Sequence, residues 1–303
     1  MSDMPVINEL ENVAGQTRLT LRPLEGEVFV VDKPLGWSSF HLVKKLRGAL
    51  TARLRQAGVR KLKVGHAGTL DPLASGVMIL CTGKATRRID ELQAGVKEYV
   101  AEVTLGATTP SFDLETPVDA TYPVDHITEE SVRLALEKFI GRIEQVPPAY
   151  SACKVDGARA YKMARRGQEV ELKPKTLVID AIELLAYSRE KITIRVVCSK
   201  GTYIRALARD IGLALGSGAH LSALRRTRVG DCRIENALTV EEAVRRIYRC
   251  RMTAVLTDAN GTPVTGEELE IPAADYDPAF MLRENADIKP YGQRNPSSEA
   301  LER

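Results

Sequence analysis

The sequence predicts an α+β fold, and three observations carry that reading. Strand-like and helix-like segments are interleaved without the steady βα repeat of a doubly wound sheet. KEYVAEVTLG, residues 97–106, alternates as a half-buried strand does, with Tyr99, Ala101, Val103 and Leu105 on one face and Glu98, Val100, Glu102 and Thr104 on the other. Three other segments place apolar residues at helical spacing behind a Ser or Thr suited to an N-cap.

Taken in order, Val28 to Val31 form a short buried strand, and DKPLGW after it is a turn. Ser38 or Ser39 caps the first helix, with Phe40, Leu42, Val43, Leu46 and Leu50 at helical spacing and Lys44, Lys45, Arg47, Arg53 and Arg55 on other faces. VMILC is a buried strand, and KATRRIDELQ a short helix. ITEESVRLALEKFIG is a helix in which Thr128 and Ser131 stand at capping-box spacing. The segment 144–175 is basic and broken by Pro and Gly, and predicts an excursion from the core: a hairpin with a short helix. TLVIDAIELL and KITIRVVCS are strands, TYIRALARDIGLAL is a helix closed by Gly216 to Gly218, and LTVEEAVRRIYR is a helix capped by Thr239. After Arg251 the periodicity fades, which predicts a small appendage and a loose end. The first 25 residues read the same way.

The formal charge of +3 hides an asymmetry. Residues 251–303 carry five basic and ten acidic side chains, and residues 1–26 two basic and four acidic, so the body between them is strongly basic. That pattern suits a polyanionic partner. No stretch approaches the ~20 apolar residues of a membrane helix, and the N-terminus lacks the basic start and apolar run of a secretory signal. Five scattered cysteines make no close metal-binding pair, so they read as reduced thiols of a cytoplasmic protein.

One carboxylate stands out. KVGHAGTLDPLASG surrounds Asp71 with small residues, and the stretch from His41 to Leu70 holds eight Lys and Arg and no acid. Three roles suit such an aspartate. It can initiate the turn before Pro72, it can ligate a metal with His66, or it can be a catalytic carboxylate held on a rigid loop.

GHAGTLDPLASGVMILCTGKATR, KEYVAEVTLG, QVPPAYSACKVDG, CSKGTYIRALARDIG and AHLSALRRTRVG resemble, in order and spacing, the segments of the bacterial tRNA pseudouridine-55 synthase family. The resemblance spans residues 27 to 235, and the GTLDPLASG block is its most specific part. It implies the pseudouridine synthase fold, a mixed, mainly antiparallel sheet with flanking helices and a basic insertion over an active-site cleft. It implies isomerisation of one T-loop uridine of tRNA, with the glycosidic bond moved from N1 to C5 and no cofactor or metal. By resemblance, Asp71 is the catalytic aspartate, Tyr99 stacks on the target uracil, and Arg205 pairs with the aspartate. Tyr203 and Leu224 line the uracil pocket, and His66 packs near the flipped nucleotide. Lys154 and Arg226 belong to the basic groups expected to hold RNA, with the 144–175 segment closing over the stem-loop. An ester at C1′, an adduct at C6 and a glycal route all suit a carboxylate.

The expected organisation is an N-terminal extension (1–26), a catalytic domain (27–250) and an acidic tail (251–303) unlike the RNA-binding PUA domain that many relatives carry. Removal of residues 252–303 is expected to leave catalysis intact. The expected enzyme is a cytoplasmic monomer acting on the T-arm of tRNA. Its rivals are a synthase for another RNA and a non-catalytic tRNA-binding module.

Overall fold

A computed structural model describes residues 20–151, 153–155, 157–168, 170–257 and 263–276. The chain divides into two compact units, Met1–Gln93 with Val229–Arg303, and Ala94–Arg228.

The first unit opens with β1 (Thr20–Leu21), β2 (Val28–Lys33), α1 (Ser39–Leu54), β3 (Val64–His66), β4 (Ala74–Thr82) and, after a 3-10 turn, α2 (Ile89–Ala94). β2 and β3 both pair antiparallel with β4. The apolar run of β2 is continuous because both faces are covered. Phe29 and Val31 join Met78 and Leu80 of β4 and Leu42, Leu46, Leu50 and Leu54 of α1 in one core. Val28 and Val30 join Val77, Ile79 and Cys81 in a second. Ser38 caps α1, its side chain accepting from the His41 N–H at 3.1 Å. Two basic residues of α1 differ from expectation. Lys45 and Arg53 are inside, at 2% and 1% exposure.

The second unit carries β5 (Lys97–Leu105), β6 (Ala107–Thr108), β7 (Ala120–Thr121), α3 (Glu129–Glu137), β8 (Gly141–Gln145), β9 (Lys154–Val155), β10 (Ala158–Arg159), α4 (Ala160–Ala164), β11 (Lys175–Tyr187), β12 (Lys191–Cys198), α5 (Ile204–Ala214) and β13 (Ala219–Val229). Its main strands lie in the order β13-β5-β12-β11-β8, and β5 pairs antiparallel with β12, Tyr99 opposite Val196. The expected alternation of β5 is present, with Tyr99, Ala101, Val103 and Leu105 buried. β9 and β10 form the hairpin expected in the 144–175 excursion, and α4 is its short helix. Thr128 and Ser131 complete a capping box on α3.

The chain then returns to the first unit as β14 (Cys232–Arg233), α6 (Val240–Arg249), β15 (Arg251–Thr257) and β16 (Pro263–Ile271). Strands after Arg251 were not expected. β15 pairs parallel with β1 and antiparallel with β16. Met252, Ala254 and Ile271 are buried in the same core as Leu21, Leu54 and Val244. The buried Arg53 donates from Nη2 to the Cys250 carbonyl at 3.3 Å and to the Pro272 carbonyl. The start of the tail is therefore core, and two parts of the expectation change. Strands β1, β15 and β16 are part of the core, and deletion from residue 252 is expected to destabilise the first unit. Ile271→Ala is expected to destabilise by about 2–4 kcal/mol, as truncation of a buried aliphatic does. Deletion of 252–303 removes several such groups, a loss comparable to the whole stability of a domain. Thermal melts of the two proteins check this, and a deletion that melts like the full chain would return the tail to the status of an appendage.

Candidate active site

Asp71 lies in the turn between β3 and β4, half-buried. The turn is held from three points. Ser39, the first residue of α1 and 4% exposed, donates from Oγ to the Leu70 carbonyl at 2.8 Å and accepts from the Leu70 N–H at 2.9 Å. The Gly36 N–H donates to the Pro72 carbonyl at 2.8 Å, and the Ala74 N–H closes the turn on the Asp71 carbonyl at 3.0 Å. Gly68 sits at φ +93°, a left-handed conformation that glycine adopts without strain. The neighbours of Asp71 on both sides are thus fixed by hydrogen bonds far along the chain, so its carboxylate starts from a rigid base.

Ser39 is a residue that sequence reading took only as a cap. Ser39→Ala leaves both polar groups of Leu70 without this partner, at about 1–3 kcal/mol. The turn loosens, and kcat is expected to fall about tenfold with RNA affinity unchanged, since misplacement by an ångström is costly in rate. Single-turnover kinetics check this, and a wild-type rate would show that the other two contacts suffice.

In the second unit, Arg205 lies in the first turn of α5 and is 5% exposed. Its Nη1 donates to the Tyr150 carbonyl at 3.1 Å and to the Ser111 carbonyl at 3.3 Å. Its Nε lies 3.6 Å from Asp113 Oδ2, and both side chains are nearly fully buried. Asp113 is a partner that sequence reading missed. The loop that presents it is densely bonded: Thr109 and Ser111 hydroxyls both donate to its carbonyl, at 2.7 and 3.1 Å. Phe112 in this loop has φ +62°, a strained conformation for an aromatic residue. Arg209 lies 4.7 Å over the Phe112 ring, and the Leu221 N–H donates to the Phe112 carbonyl at 2.9 Å.

Tyr203 precedes α5 and is clamped through its backbone. Its N–H donates to Gln145 Oε1 at 2.9 Å, and Gln145 Nε2 donates to its carbonyl at 3.2 Å. Its hydroxyl is 3.4 Å from Cys153 Sγ, with Lys175 Nζ 3.6 Å from the same sulfur. Burial, together with the Cys153 contact, pushes the Tyr203 hydroxyl up to about 12, so it stays a neutral donor. Burial alone would raise the Cys153 thiol, but hydrogen bonds from Ser151 and Tyr203 and the Lys175 ammonium outweigh it and hold the thiol below its usual range.

The remaining expected residues divide. Tyr99 is buried on β5 and Leu224 is half-buried on β13, both in the second unit, while His66 is half-buried on β3 in the first. Arg226 is only 2% exposed and lies close to Lys97, so it is not at the surface where phosphates are gripped. Burial, with Arg226 adding repulsion, pulls the Lys97 ammonium down to about 8. Lys154 has its backbone in β9, and its side chain lies outside the described residues. Among the described residues no cluster of metal-ligating side chains occurs.

Residues 55–204 match the model of the TruB family pseudouridylate synthase N-terminal domain, and residues 205–257 that of the tRNA pseudouridylate synthase B C-terminal domain. The tRNA pseudouridine synthase B of Phocaeicola vulgatus is 67% identical over 217 residues, covering 72% of this chain and 91% of that protein. The protein of the same description from Flavobacterium johnsoniae is 49% identical over 218 residues, covering 72% and 94%. Among solved structures, a Cbf5-Nop10-Gar1 complex matches with a TM-score of 0.55 at 31% identity, over 75% of this chain and 56% of that one. An H/ACA RNP bound to a substrate RNA containing 2′-deoxyuridine matches with a TM-score of 0.53 at 29% identity, over 78% of this chain and 61% of that one. The match thus spans little more than half of each of those solved chains.

Proposed function

The chain belongs to the TruB family of pseudouridylate synthases, and we propose that its target is the uridine at position 55 in the T-loop of tRNA. It is an enzyme that isomerises uridine in tRNA to pseudouridine. The N1–C1′ bond breaks and a C5–C1′ bond forms; a proton leaves C5 and one is taken up at N1, so no electrons enter or leave.

The residue roles follow from the resemblance together with the local chemistry. Asp71 is the catalytic carboxylate, and the observation that carries this is its turn, fixed at Leu70 by Ser39 and at Pro72 by Gly36. A carboxylate that attacks and leaves again needs a fixed approach more than a special basicity. Arg205 is its charge partner, set in place by Asp113 and two backbone carbonyls. Tyr99 stacks on the target base, and Tyr203, with Leu224, lines the pocket that receives it. His66 faces the flipped nucleotide. Extruding a loop base costs a few kcal/mol of unstacking, which aromatic faces recover in part. Lys154 in the 144–175 excursion holds phosphate. The residues assigned to catalysis all lie within 27–250, with β1, β15 and β16 completing the core of the first unit, and the enzyme acts as a monomer in the cytoplasm.

The test is mass mapping of pseudouridine in T-arm transcripts incubated with the pure protein, with and without a metal chelator. Pseudouridine at the T-loop position alone, in both samples, is the expected result. Modification elsewhere, or only in another RNA, would overturn the assignment of position 55.

A further inference from the structure

The basic run of α1 and the segment after it has a shape that the proposed chemistry does not use. Of the eight Lys and Arg between His41 and Leu70, two, Lys45 and Arg53, are buried. The other six, Lys44, Arg47, Arg55, Arg60, Lys61 and Lys63, all line one open groove of about 760 Å³ within the first unit. Gly48, Thr51, Ala52 and Leu62 complete its lining. Among the described residues no acidic side chain lines it, and none occurs in the sequence from His41 to Leu70. Among the described residues, no ion pair engages any of the six cations.

Six like charges around one concavity repel one another and concentrate positive potential, which a folded protein tolerates most readily where an anion neutralises it. Lys44, Arg47 and Thr51 recur along one stripe of α1, and Arg55, just past its end, continues that stripe. At 1.5 Å per residue, Lys44 and Arg55 are about 16 Å apart along the helix axis. A single small anion does not span that length, and a polymer of phosphates does. The small residues Gly48 and Ala52 between the cations leave room for a backbone to approach the helix.

The lining also says which kind of nucleic acid fits. Sites for single strands interleave cations with aromatic faces on which bases stack, and among the described residues no aromatic side chain lines this groove. Phe40, 62% exposed, stands outside the lining, with the Arg47 guanidinium 6.0 Å from its ring centre. The geometry points to a groove that binds the phosphate backbone of a base-paired RNA stem, a sequence-blind grip distinct from recognition of the target loop. This rests on tRNA being the substrate, and it adds a second point of attachment on the first unit.

The experiment compares the full-length wild-type protein with a Lys44→Gln/Arg55→Gln/Arg60→Gln/Lys61→Gln variant, four exposed side chains outside both cores and the Asp71 turn. Two probes are used: tRNA in turnover, and a plain RNA duplex without a target uridine in binding. The variant is expected to bind the duplex about 10- to 100-fold more weakly near 0.15 M salt, with the slope of log K against log salt flattened by roughly two to four units, close to 0.9 for each phosphate no longer neutralised. Its KM for tRNA is expected to rise by a similar factor with kcat within twofold of wild type and an unchanged melting temperature. Equal duplex affinity and equal salt slope in the two proteins would overturn the proposal. Loss of kcat with unchanged duplex binding would overturn it too, because the groove would then serve the reaction centre. The duplex measurement requires no catalysis. A wild-type protein that grips duplex through this groove yet forms no pseudouridine would sink the proposed function and leave the groove standing.

Discussion

Asp71→Asn is expected to reduce pseudouridine formation below about 1% of the wild-type rate, the loss typical when a covalent or base catalyst is removed from a unit that acts together. The amide matches the carboxylate in size, and the contacts that hold the turn come from the backbone of Leu70, Pro72 and Ala74, so the fold is expected to persist. Binding of the T-arm should stay within a few-fold. The measurement is single-turnover conversion at saturating RNA, with binding followed separately. Residual activity of several per cent would show that Asp71 shapes the turn without entering the chemistry.

Arg205→Lys is expected to lower kcat by about 100-fold or more, the scale on which a preorganised charged donor acts. The guanidinium donates from Nη1 to the Tyr150 and Ser111 carbonyls while its Nε edge forms an ion pair with the Asp113 carboxylate at 3.6 Å. An ammonium is a point charge on a flexible stem and cannot reproduce that planar fork. Because Asp113 keeps a cation nearby, the buried charge is not orphaned, and the melting temperature should fall far less than the rate. If Arg205→Lys turns over normally, Arg205 is a structural anchor for the 109–113 loop and Asp71 works without it.

What could be read from the sequence was local. The caps of α1, α3 and α6 were legible because Ser38, Thr128 and Thr239 bond N–H groups three residues on. β5 was legible because one face is buried, so its alternation survives in composition. β13 was not assigned, since AHLSALRRTRV mixes apolar and basic residues along both faces. β15 and β16 were missed because their core contribution is a few side chains, Met252, Ala254 and Ile271, within an acidic segment. The loop aspartate was singled out by its motif, whereas the contacts that hold its turn were not legible. Ser39 meets Leu70, Gln145 meets Tyr203 and Asp113 meets Arg205 only once distant segments fold together. Arg226 and Arg53 show the converse error, since charge in sequence was read as surface and both are buried.

The first unit is assembled from both ends of the chain, with Ala94–Arg228 set between them. β1 finds its partner β15 only after most of the protein has been made, and Arg53 waits for the carbonyls of Cys250 and Pro272. On a translating ribosome the second unit has all its strands before the first has its last core residues. Closing so long a loop costs chain entropy and slows folding, so the segment bearing Asp71 is expected to be the last to mature. A nascent chain halted before β16 would resist protease across residues 94–228 while its N-terminal part is cut, and the turn bearing Asp71 would become rigid only once β15 and β16 had joined the core.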